Sequence, residues 1–402
     1  LKIVMSSKKF ETCFIAATIV FVSCLAVMPS SLFGLSINFL NEKLKTQFSN
    51  LFGLFVIFLG QALTLVACGV SYFITIPYTS IPGFFFGCIV SLWFVAISSL
   101  FSNEVASVCI ISIASSFLFV CAMLIMIGLI DFLKRLPVKY INYLAVGTNC
   151  SGLVASCIKL LVGFSTIGQY AFFLIATFAF IFGLIAFATA IRLRTFKLIC
   201  RQFETRQEAQ GTPLIDMHRT TNVAQVPDDK ANFYEVIAPL FVLYLNFLGT
   251  SIYFPILALF VKLNPLFGLP LPIYQHLIIY LTFGVFSIFG NLLGGFFLLD
   301  NLKTLVAITF FKTVAFLFFF SNFFYVGHKN PLIIFPLNAS NDLAFFIGFC
   351  LFSVSFGYLT SCALICLRKT NKAKVSFLSI LTINWALCFG LFFSGLVKFL
   401  VK

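Results

Sequence analysis

The chain has 402 residues, 61% of them apolar and only 9% charged, with 57 phenylalanines and a mean hydropathy of +1.09. A water-soluble domain is about 45–50% apolar and about 25% charged, so this composition requires an integral membrane protein and excludes an enzyme built on a soluble catalytic domain. The net charge of +14 is scattered as short Lys/Arg clusters between apolar runs; that is a topology signal rather than a phosphate-binding face, and no nucleic-acid partner is expected.

Cutting the chain at charges, prolines and polar clusters predicts eleven spans, each near the ~20 residues a bilayer crossing needs. In order they are Thr12–Leu35, Phe48–Ile74, Ile81–Phe101, Val105–Ile130, Ile141–Phe164 and Gln169–Ile191, then Val236–Val261, Ile273–Leu299, Leu302–Tyr325, Leu343–Leu367 and Val375–Phe399. The Lys8-Lys9 pair before an apolar run looks like a signal peptide, but the run continues to Leu35 and is too long for a cleaved core, so it reads as the first span. Between spans six and seven lies the only long polar stretch, Arg192–Glu235, with Pro213 and Pro227; it reads as a flexible cytosolic linker. The expected organisation is therefore all-α and polytopic: a six-helix bundle over 1–191, the loop 192–235, and a five-helix bundle over 236–402.

With the amino terminus inside, and with Lys303 and Lys398 at span ends counted with the segments they adjoin, 18 Lys and Arg fall on cytoplasmic segments and 6 on exoplasmic ones, with Lys159 and Lys312 deeper inside spans. Positive charge is retained on the cytoplasmic side, so the amino terminus is expected in the cytosol and the carboxyl terminus outside, in the plasma membrane. The sequon Asn338-Ala339-Ser340 falls in a loop that this orientation makes exoplasmic. Most of the 13 cysteines lie inside apolar runs and none pairs as C-x-x-C, which predicts small packing residues rather than disulfides or a metal site.

No phosphate loop, H-E-x-x-H pair or G-x-S-x-G elbow is present, and no cofactor is implied. Six of the twelve acids (Glu11, Glu42, Glu104, Asp131, Asp300, Asp342) sit at span ends and the other six in the central loop. Proton- and sodium-driven carriers commonly place a carboxylate at mid-membrane; its absence points to downhill movement of a solute. Lys159, near the outer end of span five, is expected to snorkel to the interface. Lys312, near the middle of span nine, is expected to line an aqueous pathway, because a charge there costs at least ~2.5 kcal/mol on the insertion scale. Gln61, Asn149, Asn246, Asn291, Asn322 and Asn384, with the indoles Trp93 and Trp385, are the remaining polar or amphipathic candidates within spans. Gly147, Ser151 and Ala155, like Gly152 and Ser156, repeat every four residues and predict a close helix approach. The phenylalanine excess is expected to face lipid for the most part.

Several local motifs, in order across nearly the whole chain, resemble the equilibrative nucleoside transporter family. Val27-Met28-Pro29-Ser30-Ser31-Leu32-Phe33 is similar to its first-span Leu-Leu-Pro-Trp-Asn-Phe-Phe segment. Pro137 and Tyr140 followed by Gly147-Thr148-Asn149-Cys150-Ser151-Gly152-Leu153 resemble its fourth-to-fifth-span junction. Phe254-Pro255, Phe286-Ser287-Ile288-Phe289 and Gly357-Tyr358-Leu359-Thr360-Ser361 resemble pieces of its seventh, eighth and tenth spans. The resemblance implies a major-facilitator-like arrangement of six plus five helices. It also implies facilitative, uncoupled transport of nucleosides or nucleobases by alternating access, with a small-molecule substrate and the lipid bilayer as partners. Four of the family's polar or aromatic positions differ: its first-span Trp falls at Ser30, its fourth-span Gln at Ile125, and its eighth-span Asp and Arg at Gly290 and Gly294. Ser30, Gln61, Asn149, Asn291, Lys312 and Trp385 are therefore the candidate substrate contacts. The other readings open at this point are a carrier of a different small metabolite, including an ion-coupled one, and a non-transporting membrane scaffold.

Overall fold

The structure, a computed structural model, describes residues 2–36, 40, 49–74, 76–98, 100, 104–137, 140–163, 166–199, 201, 233–253, 277–321, 325–326, 330–331, 342–369 and 375–400. The long helices among the described residues are α1 (Lys2–Leu35), α2 (Ser49–Phe73), α3 (Ile81–Ser98), α4 (Glu104–Lys134), α5 (Ile141–Val162) and α6 (Thr166–Arg192), followed by α7 (Phe233–Tyr253), α8 (Thr282–Phe296), α9 (Leu302–Ser321), α10 (Asp342–Lys369) and α11 (Val375–Leu400). Nine are long and apolar enough over their described residues to cross a membrane, while α2 and α11 contribute the shorter apolar stretches Phe55–Ser71 and Leu378–Phe393. Helix is the form that pairs every backbone N–H within its own segment, which a lipid environment demands; Pro29 in α1 and Pro239 in α7 are tolerated inside such helices.

The boundaries differ from the sequence reading where charge or backbone geometry takes over from hydropathy. Helix α1 begins ten residues before Thr12, and α4 runs on to Lys134, which puts a cation in the last turn, where the helix dipole favours it. A π-turn at Leu277–Leu281 precedes α8. Tyr325 and Val326 leave α9 to pair with Asn330–Pro331 in a short antiparallel ladder. Helix α5 ends at Gly163, whose φ of 78° is a left-handed value that glycine adopts without steric cost. The Asn338 sequon, Asn322, the Phe254-Pro255 motif and most of the central loop lie outside the described residues.

Helices α1 to α6 pack on one another, with α1 against α5, α4 and α6, and α3 against α4 and α6. Helices α7 to α11 form a second group in which α7 meets α9, α10 and α11, and α8 lies along α10. The two groups meet along two lines, α5 against α8 and α2 against α11. Close approach depends on small residues. A Cβ added at Gly147 would sit 2.9 Å from Val20 Cα of α1, and one added at Gly290 would sit 2.9 Å from Tyr358 N of α10.

The core divides by depth. One cluster runs through α1 to α6 and across to Ile279, Tyr280, Phe283, Phe345, Phe349, Phe352 and Phe356, most of them at the end of the molecule where α8 and α10 begin, and also takes in Ile380 near the start of α11. A second, smaller cluster of Val242, Leu243, Leu305, Leu359, Cys362, Ala363 and Leu367 belongs to α7, α9 and α10 alone, near the opposite face. At that face the polar ties also stay within one group: Thr195 N donates to Glu11 (2.8 Å), Tyr78 N donates to Asp131 (3.3 Å), and Lys369 pairs with Asp300 (2.6 Å). The aromatic core at one face joins the two groups, while toward the other the first cluster reaches the second group through Ile380 and a smaller cluster lies within α7, α9 and α10.

One side-chain expectation is corrected and one is extended. Lys159 does not snorkel: it is 3% exposed, donates to the Gln169 Oε1, and lies 5.1 Å from the Phe172 ring centre, while Gln169 donates in turn to Ser36 Oγ. An inward hydrogen-bond partner at this helix junction outcompetes the interface. The phenylalanines do not serve lipid contact alone. Phe33, Phe85, Phe132, Phe172, Phe173, Phe180, Phe187, Phe345, Phe349 and Phe352 are fully buried, and rings stack in runs such as Phe132 on Phe196, with centres 4.6 Å apart. Flat rings fill the gaps between helices that aliphatic side chains would leave.

Candidate functional site

Between the two helix groups lies a cavity of about 140 Å³, an order of magnitude more than the ~10–15 Å³ one water needs. Its wall draws on α1, α2, α4 and α5 from the first group and on α7, α10 and α11 from the second. The residues nearest the face where α1 begins, Ile130, Leu144, Leu364, Ser379 and Ile380, lie within about a turn and a half of the ends of α4, α5, α10 and α11 at that face. Deeper in, at mid-helix, the wall turns polar with Gln61, Thr64, Asn149 and Asn384, beside Ser30. The described wall residues therefore reach toward the face where α1 begins, and the shared aromatic core lies toward the other. None of the described lining residues is ionisable.

Hydrogen bonds fix most of the polar end. Gln61 Nε2 donates to Ser30 Oγ at 2.8 Å, joining α2 to α1. Thr64 Oγ1 has one proton and gives it to the Gln61 carbonyl at 2.6 Å; Asn384 Oδ1, at 3.3 Å, has the weaker claim on it. Asn384 Nδ2 donates to the Ile380 carbonyl at 2.9 Å. Asn149 Nδ2 is buried and has no hydrogen-bond partner among the described residues. An unmet buried donor costs roughly 1–3 kcal/mol, which makes it a natural point for a ligand acceptor.

Of the six candidates from sequence, Ser30, Gln61 and Asn149 are brought together on this wall; Asn291, Lys312 and Trp385 are not. Asn291 is spent on joining helices, its Nδ2 donating to the Ala145 carbonyl of α5 (2.9 Å) and its Oδ1 accepting from Ser361 of α10 (3.0 Å). Lys312, expected on an aqueous pathway, is 7% exposed and buried within the second group. It donates to Asn246 Oδ1 at 2.5 Å and lies 4.7 and 5.6 Å from the ring centres of Phe352 and Phe356. Asn246 Nδ2 bonds the Phe356 carbonyl and Thr360, so the charge is held by an amide relay and aromatic faces rather than by water. Trp385, 45% exposed, stacks on Phe389 on the outer surface of α11, one residue and about 100° of helix rotation away from Asn384.

The wall includes residues the sequence reading did not single out: Thr64, Thr148, Thr360, Ser379, Met123 and Phe247. Hydroxyls in an apolar helix are commonplace and carry no periodic signal, and a methionine reads as core. The altered positions have a steric explanation. Gly290 and Gly294, four apart on α8, face α10 so closely that a Cβ at Gly294 would come within 2.8 Å of Ser361 Cβ and 2.9 Å of the Tyr358 carbonyl oxygen. This Gly-x-x-x-Gly pair was legible as a packing motif, and in this chain it closes the space that longer side chains would need. Ile125 is fully buried and off the cavity wall.

The fold is shared with solved major facilitator transporters. The xylose transporter XylE from E. coli, in a partially occluded inward-open conformation, is 11% identical, with 96% of this chain and 95% of that chain covered and a TM-score of 0.64. The proton:xylose symporter XylE bound to 6-bromo-6-deoxy-D-glucose is 12% identical over 99% and 89%, with a TM-score of 0.63. A peptide transporter POT in complex with alafosfalin is 15% identical over 96% and 88%, with a TM-score of 0.55. At these identities the likeness establishes fold alone. No curated protein matches the chain by sequence. The nucleoside transporter family matches residues 105–402, from the start of α4 to the carboxyl terminus. A membrane transporter fold with a cavity between its two helix groups, matched by that family over most of its length, places the chain in the nucleoside transporter family.

Proposed function

We propose that the protein moves nucleosides or nucleobases across the plasma membrane by facilitative, uncoupled alternating access. The observation that carries this reading is the cavity itself, which lies between the helix groups and, among the described residues, is lined by neutral amides, hydroxyls and apolar side chains with no ionisable group. A neutral solute with a flat ring and hydrogen-bonding edges fits such a wall, and a coupling proton or sodium ion would find no carboxylate there. Substrate meets Ser30, Gln61 and Asn149 on the first group and Asn384 on the second, while Asn291 and Lys312 hold the helices that frame the site. The six-helix unit (1–191) and the five-helix unit (236–402) rock against each other, joined by the segment 192–235. The Lys/Arg distribution supports a cytosolic amino terminus.

Uptake into proteoliposomes tests the reading. Labelled adenosine, inosine or hypoxanthine is expected to enter saturably, at a rate that does not change when pH or sodium gradients are collapsed. Uptake indistinguishable from empty vesicles for all three would overturn it, and a rate that follows an imposed ion gradient would overturn its uncoupled character.

A further inference from the structure

The cavity's polar groups are unevenly placed, and that asymmetry discriminates between the two substrate classes of the proposed function, on which this inference rests. At mid-depth stand two amides with capacity left over. Asn149 Nδ2 on α5 is a buried donor with no partner among the described residues, and Asn384 Oδ1 on α11 is an acceptor whose neighbour Thr64 has already committed its proton to the Gln61 carbonyl. One is a donor and the other an acceptor, and they belong to opposite helix groups. Toward the face where α1 begins the described wall is mainly aliphatic, with Ile130, Leu144, Leu364 and Ile380 beside the hydroxyl of Ser379; Met126, Thr148 and Thr360 stand about a turn deeper, and the Thr148 hydroxyl donates to the Ala145 carbonyl.

We propose that the site takes the free nucleobase, a neutral planar heterocycle inserted edge first, with Asn149 and Asn384 reading its acceptor and donor, and discriminates against the ribosylated form. A heterocycle edge carries an acceptor and a donor side by side in a rigid plane, which satisfies both amides at once. The ribose of a nucleoside in the same pose would stand among the aliphatic residues with its hydroxyls largely unpaired. A polar group left without a partner on binding is what separates such analogues most strongly. Turning the nucleoside round would bring the ribose to the polar end, where the Gln61 amide already donates to Ser30 and the Thr64 hydroxyl to the Gln61 carbonyl. Since the two amides lie on different groups, a bound base also draws the groups together, which supplies the closing step of the cycle.

The test uses the full chain in proteoliposomes, with labelled hypoxanthine as the probe and inosine as competitor. Hypoxanthine is expected to enter saturably, with inosine at least tenfold weaker as a competitor. Asn149→Ala and Asn384→Ala are each expected to raise the half-saturation concentration about tenfold. Melting temperature in detergent keeps the variants interpretable: hypoxanthine should raise it for the wild type and not for Asn149→Ala, provided the ligand-free variant melts cooperatively. Asn149→Ser, which keeps a small donor, should recover part of the affinity and replaces Asn149→Ala if that variant does not fold. Equal competition by inosine and hypoxanthine would overturn this inference and leave the proposed function standing. So would unchanged half-saturation in both amide variants. Transport of neither compound would overturn both.

Discussion

Lys312 was the residue the sequence marked for an aqueous pathway, and its surroundings explain why it is elsewhere. Asn246 accepts from its ammonium at 2.5 Å, and the rings of Phe352 and Phe356 lie against it. An amide oxygen and two π faces lower the cost of the charge enough to keep it in the helix group. Lys312→Met leaves the Asn246 Oδ1 without its donor and is expected to destabilise by about 1–3 kcal/mol. Because the two side chains are one unit, the double variant Lys312→Met/Asn246→Leu should lose clearly less than the sum of the singles, with a coupling of about 0.5–3 kcal/mol. Melting temperatures of the four proteins in detergent complete the cycle; additive losses would mean that the pair does not act together. Trp385 teaches the complementary lesson, since a one-residue offset from Asn384 turns a large side chain from the cavity to the outer surface.

Helix pairing is governed by small residues, and here the pattern in the sequence was informative. The four-residue repeat of Gly147, Ser151 and Ala155 on α5 does face α1: Ser31 and Ser151 hydroxyls are 3.5 Å apart, and Gly147 lies against Val20 and Ser23. The tighter contact, α8 on α10, rests on Gly290, Gly294 and Gly357, where a Cβ on Gly357 would lie 2.8 Å from the Ser287 carbonyl carbon and 2.9 Å from Asn291 N. Gly290→Leu must push α10 away and should cost about 1–3 kcal/mol or more, with loss of transport. Gly152→Ala is the control, since its nearest neighbour, Ser31 Oγ, is 3.9 Å from the added Cβ. Removing a helix-interior glycine there is expected to be neutral or to stabilise by about 0.5–1 kcal/mol. Scanning fluorimetry distinguishes the two, and equal melting temperatures for Gly290→Leu and wild type would refute the close-packing account.

In the whole molecule, the aromatic core that joins the two groups lies away from the start of α1, so the cavity is expected to open toward the amino-terminal face. In a background stripped of native thiols, Leu144→Cys and Ile380→Cys should react with a membrane-impermeant methanethiosulfonate reagent from the amino-terminal face only. Phe283→Cys, within the shared core, should react far more slowly from either face. Rapid labelling of Phe283→Cys from the opposite face would show that the resting protein opens the other way.

The sequence alone determined that the chain resides in a bilayer, that it is all-helical and polytopic, that one face of α5 approaches a neighbour closely, and which transporter family its motifs resemble. These are local properties: hydropathy, charge placement and four-residue spacing are each written within one segment. What only the tertiary structure decided is which polar residues share a cavity. Ser30, Gln61, Asn149 and Asn384 come from four helices separated by up to hundreds of residues, and each helix's rotation about its own axis is set by packing against several neighbours at once. The same packing gives Asn291 to a helix contact, Lys312 to an amide and Trp385 to the outer surface. One helical position is about 100° of rotation, so hydropathy, which fixes where a helix lies, leaves open which of its side chains meets the substrate.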